Sequence, residues 1–347
     1  MVRALATLLL IASAGAAGQP QTATVALPPA AVTLGEALAS IQAQTGLTLT
    51  TTLDPKLPLK LERRDGPLWP LLTEVAKASG GRLTVASKGR AVAIDKGVPP
   101  PASIDGAFRV AVKQVACRRD FDTGRSVTEV TLEVHWEPRL PVFRIDSEPR
   151  GTFGVDTFGG EVTPSAGKSA VGGTTFTSVV RLPAIPRSVG GQSASGQIHS
   201  VDKLSLAGKF TVTAAAKMVQ FRVGDTSKPT TLTQEGVTFT LQPPRKIQDR
   251  WDVPVELVYP PSKVEFESFE AGVWLSRNRL QLIDPAGKPL NPINEDFREA
   301  AGKASLVYRV PAAKVPADRA GWSLVYETPS PLVEFDVAFT LSNIPLP

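Results

Sequence analysis

Apolar and polar residues alternate along most of the chain, and helical spacing occurs only near its N-terminus. From residue 108 onward, apolar side chains recur at every second position, in runs separated by turn residues about every 8–12 positions. This is the period of a strand with one buried face. The pattern predicts a mainly β protein with a small α+β domain at the N-terminus, followed by two tandem β-sandwiches.

The segment TLGEALASIQAQTGLTL (33–49) contains the start and stop signals of a helix. Thr33 with Glu36 three residues later is the sequence of a capping box. Gly46 supplies the left-handed residue with which helices commonly end. One helical face is apolar: Leu34, Leu38 and Ile41. We expect a helix here that runs directly into a strand.

The next segments complete a small α+β unit. LPLKLERRD (57–65) alternates in the manner of a half-buried strand. A second helix is predicted from Pro67 to Gly80, and RLTVAS (82–87) with AVAID (91–95) predicts a closing hairpin. The inner face of the second helix is Leu68, Leu71, Leu72 and Val75.

This order of elements resembles the short N-terminal domain of secretins and TonB-dependent receptors. EALASIQAQTGLTL (36–49) and GPLWPLLTEVAKASGGRLTVAS (66–87) match the two halves of that family's pattern. The resemblance covers residues 30–95. It implies a domain on the periplasmic side of outer-membrane machines that makes protein–protein contacts. The two prolines of the second helix depart from the pattern, as does the fusion to β-sandwiches.

The first 18 residues have the pattern of a secretion signal. Arg3 gives a positive start, ALATLLLIA (4–12) is apolar, and ASAGAAG (12–18) offers small residues for cleavage. The apolar run is too short to span a bilayer, and no later segment is apolar enough to do so. We therefore expect an exported protein, periplasmic or extracellular, with no transmembrane segment in the mature chain.

The rest of the chain repeats itself after a Pro-rich linker at 96–106. Residues 107–223 and 230–347 share four sequence blocks in the same order, which predicts two Ig-like β-sandwiches. The paired blocks are 130–138 with 253–261, 153–164 with 280–292, 174–186 with 304–316, and 204–223 with 322–341.

The composition of the chain argues against several classes of partner and ligand. The net charge is +5 and the basic residues are dispersed, which argues against a nucleic-acid partner. The chain has one cysteine and two histidines, without the spacing of a metal site, and no cofactor motif. We expect no metal and no cofactor. Cys117 is expected to be buried, and alternation places His135 on a solvent-facing side of its strand with Glu133.

Two arginine-rich turns are candidate contacts for an anionic ligand or a partner. Arg118, Arg119 and Arg125 surround DFDTG (120–124), which begins like a calcium loop but has arginine where an EF-hand needs its glycine. The second turn lies within WLSRNRL (274–280) and contributes Arg277, Asn278 and Arg279.

Three functions remain open at this point. The first is a non-enzymatic envelope protein that docks to a protein partner, and it predicts buried tryptophans and an unpaired strand edge within residues 47–95. The second is a carbohydrate-binding envelope protein that contacts a polysaccharide through exposed tryptophans, with Trp136, Trp251, Trp274 and Trp322 as candidates. The third is a carboxylate-dependent hydrolase using Glu265, Glu267 or Glu270, although alternation turns these glutamates outward.

The predicted signal can be tested by expressing the full chain in a bacterium that exports proteins. Mass spectrometry of the exported protein should show that residues 1–18 have been removed. Leu9→Arg should leave the precursor uncleaved inside the cell, because a charge interrupts the apolar run, whereas Leu9→Ile should be processed normally. Normal processing of Leu9→Arg would contradict the prediction.

Overall fold

The computed structural model describes residues 23–29, 32–86, 89–119, 121–155, 158–162, 164, 167–185, 188–189, 199–200, 202–260, 275–300, 302–315 and 321–347. Several residues considered above lie outside this part of the chain: the predicted signal peptide at 1–18, Asp120, Trp274, Glu265, Glu267 and Glu270. The described residues form a mainly β protein with a small α+β module at the N-terminal side.

The α+β module is built from two helices and seven short strands. Its elements are β1 (Val25–Ala26), β2 (Val32–Thr33), α1 (Leu34–Thr45), β3 (Thr48–Thr51), β4 (Pro58–Leu59), β5 (Asp65–Gly66), α2 (Leu68–Ala78), β6 (Gly81–Ala86) and β7 (Ala91–Lys96). Strand β7 is the centre of a three-stranded sheet, parallel to β3 and antiparallel to β6. Both helices bury their predicted apolar faces in one core with this sheet.

The ends of helix α1 form as the sequence predicted. The backbone N–H of Glu36 donates to the Thr33 hydroxyl, and the Glu36 carboxylate accepts from the backbone N–H of Thr33 at 2.8 Å. These two hydrogen bonds complete the capping box. The pKa of Glu36 is lowered because its carboxylate accepts hydrogen bonds from the backbone N–H and the hydroxyl of Thr33. Gly46 ends the helix with φ of 69°, a conformation that is strained for other residues.

Residues 57–65 differ from the prediction of one continuous strand. They contribute only the two-residue strands β4 and the start of β5, which pair with β2 and β1 in separate two-stranded sheets. The alternation in this segment reflects side chains such as Leu59 packing under the helices. Alternation is a property of one-sided burial and does not by itself supply a strand partner.

The first β-sandwich follows. Its strands are β8 (Ala102–Asp105), β9 (Phe108–Arg119), β10 (Ser126–Trp136), β11 (Val142–Asp146), β12 (Arg150–Val155), β13 (Phe158–Val162), β14 (Lys168–Ala170), β15 (Thr175–Pro183), β16 (Ser188–Val189), β17 (His199–Ser200) and β18 (Lys203–Ala215). One sheet has the order β15-β10-β9-β8, and the other contains β13, β12, β18, β11 and β14. Strand β8 lies within the predicted linker at 96–106, so that linker is shorter than predicted.

The second β-sandwich repeats this plan. Its strands are β19 (Met218–Val223), β20 (Thr230–Gln234), β21 (Val237–Leu241), β22 (Arg245–Ile247), β23 (Arg250–Val258), β24 (Arg279–Ile283), β25 (Pro289–Leu290), β26 (Ile293–Ala300), β27 (Lys303–Pro311) and β28 (Ser323–Pro329), and the chain ends with β29 (Leu332–Pro345). One sheet has the order β20-β21-β23-β27-β26, and the other has the order β19-β28-β24-β25.

The two sandwiches exchange their last strands. Strand β29 pairs with β18 in the first sandwich, and β19 pairs with β28 in the second. The predicted boundaries at 107–223 and 230–347 therefore need correction at both ends, because β19 belongs to the second sandwich and β29 to the first. Alternating apolar residues identify a strand. Which sheet the strand joins depends on which core buries its apolar side chains.

The exchanged strands form one continuous antiparallel ribbon, β18–β19 against β28–β29. Between the two sandwiches, the N–H of Ala216 donates to the carbonyl of Pro331 at 2.9 Å, and the N–H of Ser330 donates to the carbonyl of Lys217 at 3.0 Å. The ladder thus continues through the junction. Phe335, Val337, Phe339 and Leu341 of β29 are buried in the core of the first sandwich.

Three separate clusters of buried side chains result, one in the α+β module and one in each sandwich. The α+β module also contacts the first sandwich. The Trp69 and His135 rings lie 5.8 Å apart, and the Arg139 guanidinium donates to the carbonyl of Ala23 at 3.1 Å. No helix within the described residues has the length and apolar character needed to cross a bilayer.

The strand exchange makes a testable prediction about the core. Leu341→Ala should destabilise the first sandwich by about 2–5 kcal/mol, because it leaves a cavity in that core. Hydrogen exchange should then accelerate in residues 126–136 and stay unchanged in 250–258. The matched variant Leu257→Ala, in the second core, should give the opposite pattern. Acceleration confined to 250–258 in Leu341→Ala would contradict the exchange.

Candidate functional site

Within the described residues, the three-stranded sheet of the α+β module has two strands with an unpaired edge, β3 and β6. On β3, the backbone N–H of Leu49 donates to the side chain of Gln42 at 3.0 Å, so helix α1 partly occupies that edge. On β6, Gly81 and Leu83 are buried while Arg82, Thr84 and Ala86 are exposed. Strand β6 is therefore the more accessible of the two edges.

The first arginine-rich turn lies at the tip of the β9–β10 hairpin of the first sandwich. Arg118 forms an ion pair with Glu129 at 3.0 Å, and the Arg119 guanidinium lies 5.9 Å from the centre of the Phe121 ring. Phe121 is 87% exposed, and Arg125 is exposed beside it. An exposed aromatic ring beside arginines is a combination that is frequent at protein–protein contacts.

The second turn lies where the chain enters β24 of the second sandwich. Arg277 is half-buried and Arg279 is exposed. Burial lowers the pKa of Arg277, and the positive charges of Arg279 and Arg90 lower it further. Asn278 is buried, and its side-chain amide has no hydrogen-bond partner in the described part of the chain.

Arg90 acts electrostatically on Arg277, and sequence reasoning did not connect the two residues. It precedes β7 in the α+β module, and the N–H of Thr48 donates to its carbonyl at 3.0 Å. It lies almost two hundred positions from Arg277 in the sequence, and no local motif connects the two.

A buried polar cluster lies under helix α2, on the outer face of β9 and β10. His135 is 2% exposed, so the prediction that it faces solvent is wrong. Its Nδ1 lies 3.0 Å from the Thr175 hydroxyl and its Nε2 lies 3.5 Å from the Glu133 carboxylate. The indole of Trp69 covers the imidazole. His135 does lie on the face of β10 that points away from the core of the first sandwich, as alternation predicted. The α+β module packs on that face and buries it.

The surroundings of this cluster lower the pKa values of three of its residues, Glu133, Arg109 and His135. The hydrogen bond from His135 and the interaction with Lys113 lower the pKa of Glu133 to about 2, despite partial burial. Burial lowers the pKa of Arg109 to about 10, while Glu133 acts in the opposite direction. Burial is also the main cause that lowers the pKa of His135, so the imidazole is kept neutral. The cluster joins the α+β module to the first sandwich and has Trp69 over its imidazole.

The tryptophans do not form an exposed row. Trp136, Trp251 and Trp322 are 1%, 9% and 7% exposed, and each belongs to the core of a sandwich. Their rings therefore pack against neighbouring apolar side chains and present no face for a sugar to stack on. Trp274 lies outside the described residues.

Neither the cysteine nor the described carboxylates belong to a cluster with the composition of a metal site. Cys117 is exposed, which corrects the expectation of burial, because it lies near the end of β9 beside Arg118 and Arg119. Its sulfur lies 3.6 Å from the Thr128 hydroxyl. Within the described residues, no group of three or more His, Cys, Asp or Glu side chains converges as metal ligands would.

No protein-family model matches the chain, and no curated protein matches it. Among solved structures, the chain is similar to the crystal structure of the conserved domain protein from Bacillus anthracis, at 10% sequence identity and with a TM-score of 0.14. The match covers 68% of this chain and 75% of that one. A likeness this weak carries no argument about fold or function.

The burial of His135 predicts a pH dependence. Its folded-state pKa lies below the ordinary value of 6.5, so the unfolded chain binds a proton that the folded protein does not. Stability should therefore fall as the pH falls below about 6.5, with a slope of at most about 1.4 kcal/mol per pH unit. Urea unfolding between about pH 7.5 and 5.5 measures this slope.

His135→Gln should flatten that slope, whereas replacing the only other histidine, His199, with Gln should leave this contribution in place. Should His135→Gln fail to fold, an NMR titration of the wild-type imidazole would still report its pKa directly. An unchanged slope in His135→Gln, or a ring that titrates at 6.5 or above, would contradict the assignment.

Proposed function

We propose that this protein is an exported, non-enzymatic docking protein of the cell envelope, which binds a partner protein through its α+β module. The observation that carries the proposal is the outer edge of β6 in a three-stranded sheet, which pairs with no further strand in the described part of the chain. Such an edge offers a row of backbone N–H and C=O groups to an extended segment of another chain. The sequence pattern of residues 1–18 supports export, and the resemblance of residues 30–95 to secretin and receptor domains supports a periplasmic partner.

The side chains of β6 suit strand addition. Buried Leu83 anchors the strand in the core of the module, while Thr84 and Arg82 face outward and carry no large apolar surface. Main-chain hydrogen bonds would supply most of the affinity, and the exposed side chains would select the partner. Strand β6 is short and carries the charged side chain of Arg82, and both features disfavour pairing with unrelated strands.

The contact with the first sandwich supports a holding role for the rest of the chain. Trp69 packs on His135, and Arg139 binds the carbonyl of Ala23, so the module is attached at two points. The ribbon of β18–β19 and β28–β29 joins the two sandwiches in turn. The sandwiches would present the β6 edge in a defined orientation, and the Phe121 hairpin tip offers a second contact surface.

The carbohydrate-binding alternative lacks its main requirement in the described residues. It needs aromatic rings exposed in one plane, and Trp136, Trp251 and Trp322 are buried. Phe121 is exposed, but a single ring beside an arginine suits a protein partner equally well. We therefore rank docking to a protein above binding to a polysaccharide.

The proposal is tested by placing a photocrosslinking amino acid at Thr84 of the full chain in intact cells. We expect capture of one defined partner protein, identified by mass spectrometry. The matched control carries the crosslinker at Thr231, on the edge strand β20 of the second sandwich, and should not capture the same partner. Capture of the same partner from both positions would contradict docking at β6.

A pair of proline variants separates edge binding from loss of folding. Neighbouring residues of an antiparallel strand direct their N–H groups to opposite sides, so of Thr84→Pro and Val85→Pro only one removes a donor to β7. The other removes a donor from the free edge and should keep the wild-type unfolding midpoint. That variant should lose capture of the partner by at least tenfold, with the crosslinker placed at Arg82. Undiminished capture would overturn the proposal.

A further inference from the structure

One row of side chains crosses the sheet β15-β10-β9-β8 of the first sandwich. Thr175 of β15 is directly opposite His135 of β10. His135 is opposite Arg109 of β9, and Arg109 is in turn opposite Ile104 of β8. Directly opposed residues of antiparallel strands point to the same face of a sheet. The four side chains therefore lie on the face that points away from the core of this sandwich.

The α+β module packs along this row. Trp69 of α2 lies over His135, with the two ring centroids 5.8 Å apart. Ile104 packs against the buried core of the module. Gly89, in the β6–β7 hairpin, approaches Thr174 so closely that a Cβ on the glycine would lie 2.8 Å from the carbonyl carbon of Thr174. The contacts thus extend from the β15 end of the row to β8.

This packing is what buries His135. The other outward-facing side chains of β10, at positions 127, 129, 131 and 133, remain partly accessible, whereas His135 is 2% exposed. Separation of the module from the first sandwich would remove Trp69 from the imidazole and return the ring to water.

A positive charge on His135 is opposed by its charged neighbours while the module is docked. Arg109, directly across the strand pair, is 4% exposed and positively charged, and like charges in opposed positions are destabilising. The carboxylate that contacts the imidazole is that of Glu133, at 3.5 Å. It also binds the Nζ of Lys113 at 2.5 Å. One carboxylate is therefore shared by the imidazole and a lysine, beside a buried arginine.

Two uncharged groups also face the imidazole, the indole of Trp69 from α2 and the hydroxyl of Thr175 from β15. Burial is the main cause that lowers the pKa of His135, and the charges of Arg109 and Lys113 lower it further against the effect of Glu133. A hydrated imidazole has a pKa of about 6.5. Below that pH, proton uptake therefore favours the separated state over the docked one.

The α+β module has its own core and a short connection to the sandwich. Its buried side chains form a cluster separate from those of the two sandwiches. Residues 97–101, GVPPP, join β7 to β8 outside any helix or strand, and Val98 in this linker is 85% exposed. These features allow the module to leave the sandwich as a folded unit.

We propose that this row is a pH-sensitive latch, in which protonation of His135 at mildly acidic pH releases the folded α+β module from the first sandwich. Release hydrates the imidazolium and separates Trp69 from the row. The module then changes its orientation relative to the sandwiches. The latch does not depend on strand addition at β6.

The test follows energy transfer between dyes on the purified mature protein. The dyes are attached at Thr73→Cys of α2 and Thr152→Cys of β12, both exposed positions, in a Cys117→Ser background. Energy transfer should change between about pH 7.5 and 5.5, and the ratio of released to docked molecules should rise up to about tenfold per pH unit. Far-UV circular dichroism should stay constant over this range, because both modules remain folded.

His135→Gln and His135→Phe, neither of which takes up a proton, should keep the docked signal throughout this range. The control His199→Gln should respond as the wild type does. An unchanged response in a folded His135 variant would overturn the proposal. So would constant energy transfer in the wild type, or a change that coincides with loss of the circular dichroism signal.

A measurement on the wild type keeps the proposal testable if the His135 variants do not fold. In an NMR titration, protonation of His135 should occur over the same pH range as the change in energy transfer. Separate ranges would exclude the latch.

Glu137 provides a second control. It contacts the Arg139 guanidinium that binds the carbonyl of Ala23, and burial raises its pKa. Glu137→Gln should retain the pH response. Loss of the response in Glu137→Gln together with its retention in His135→Gln would assign the pH dependence to that contact and overturn the role of His135.

Discussion

The hydrogen-bonded ribbon of β18–β19 against β28–β29 is the interaction on which the architecture depends. It runs from the first sandwich into the second without interruption, and backbone hydrogen bonds at Ala216 and Ser330 join the two halves. Each sandwich obtains one strand of its second sheet from the other repeat. Strand β29 follows the second sandwich in the chain and completes a sheet of the first, so the core of the first sandwich depends on a segment of distant sequence.

The α+β module is attached to this frame by polar as well as apolar contacts. Trp69 covers His135, and the Glu133 carboxylate is stabilised by hydrogen bonds in a partly buried position. Buried polar groups are favourable only with their partners in place, so this interface favours one relative orientation. That orientation leaves the β6 edge accessible.

Local structure was predictable wherever a few neighbouring residues decide it. The capping box of Thr33 and the left-handed Gly46 formed as expected, because each satisfies backbone groups within one helical turn. Residues 57–65 were wrongly predicted as one strand, since burial of one face was mistaken for strand pairing. His135 was wrongly placed in solvent, because the module that covers it contributes nothing to the alternation of β10.

The sequence by itself determined the mainly β class, the two helices and the tandem repeat, since periodic burial is recorded in the order of residues. It also indicated Arg277 and Arg279 as candidate contacts. The tertiary structure alone decided the exchange of β19 and β29 and the burial of His135. The physical reason is that two distant strands, or two modules, associate through complementary surfaces. A short window of sequence contains only one of the two surfaces, so it does not show which partner will pack on it.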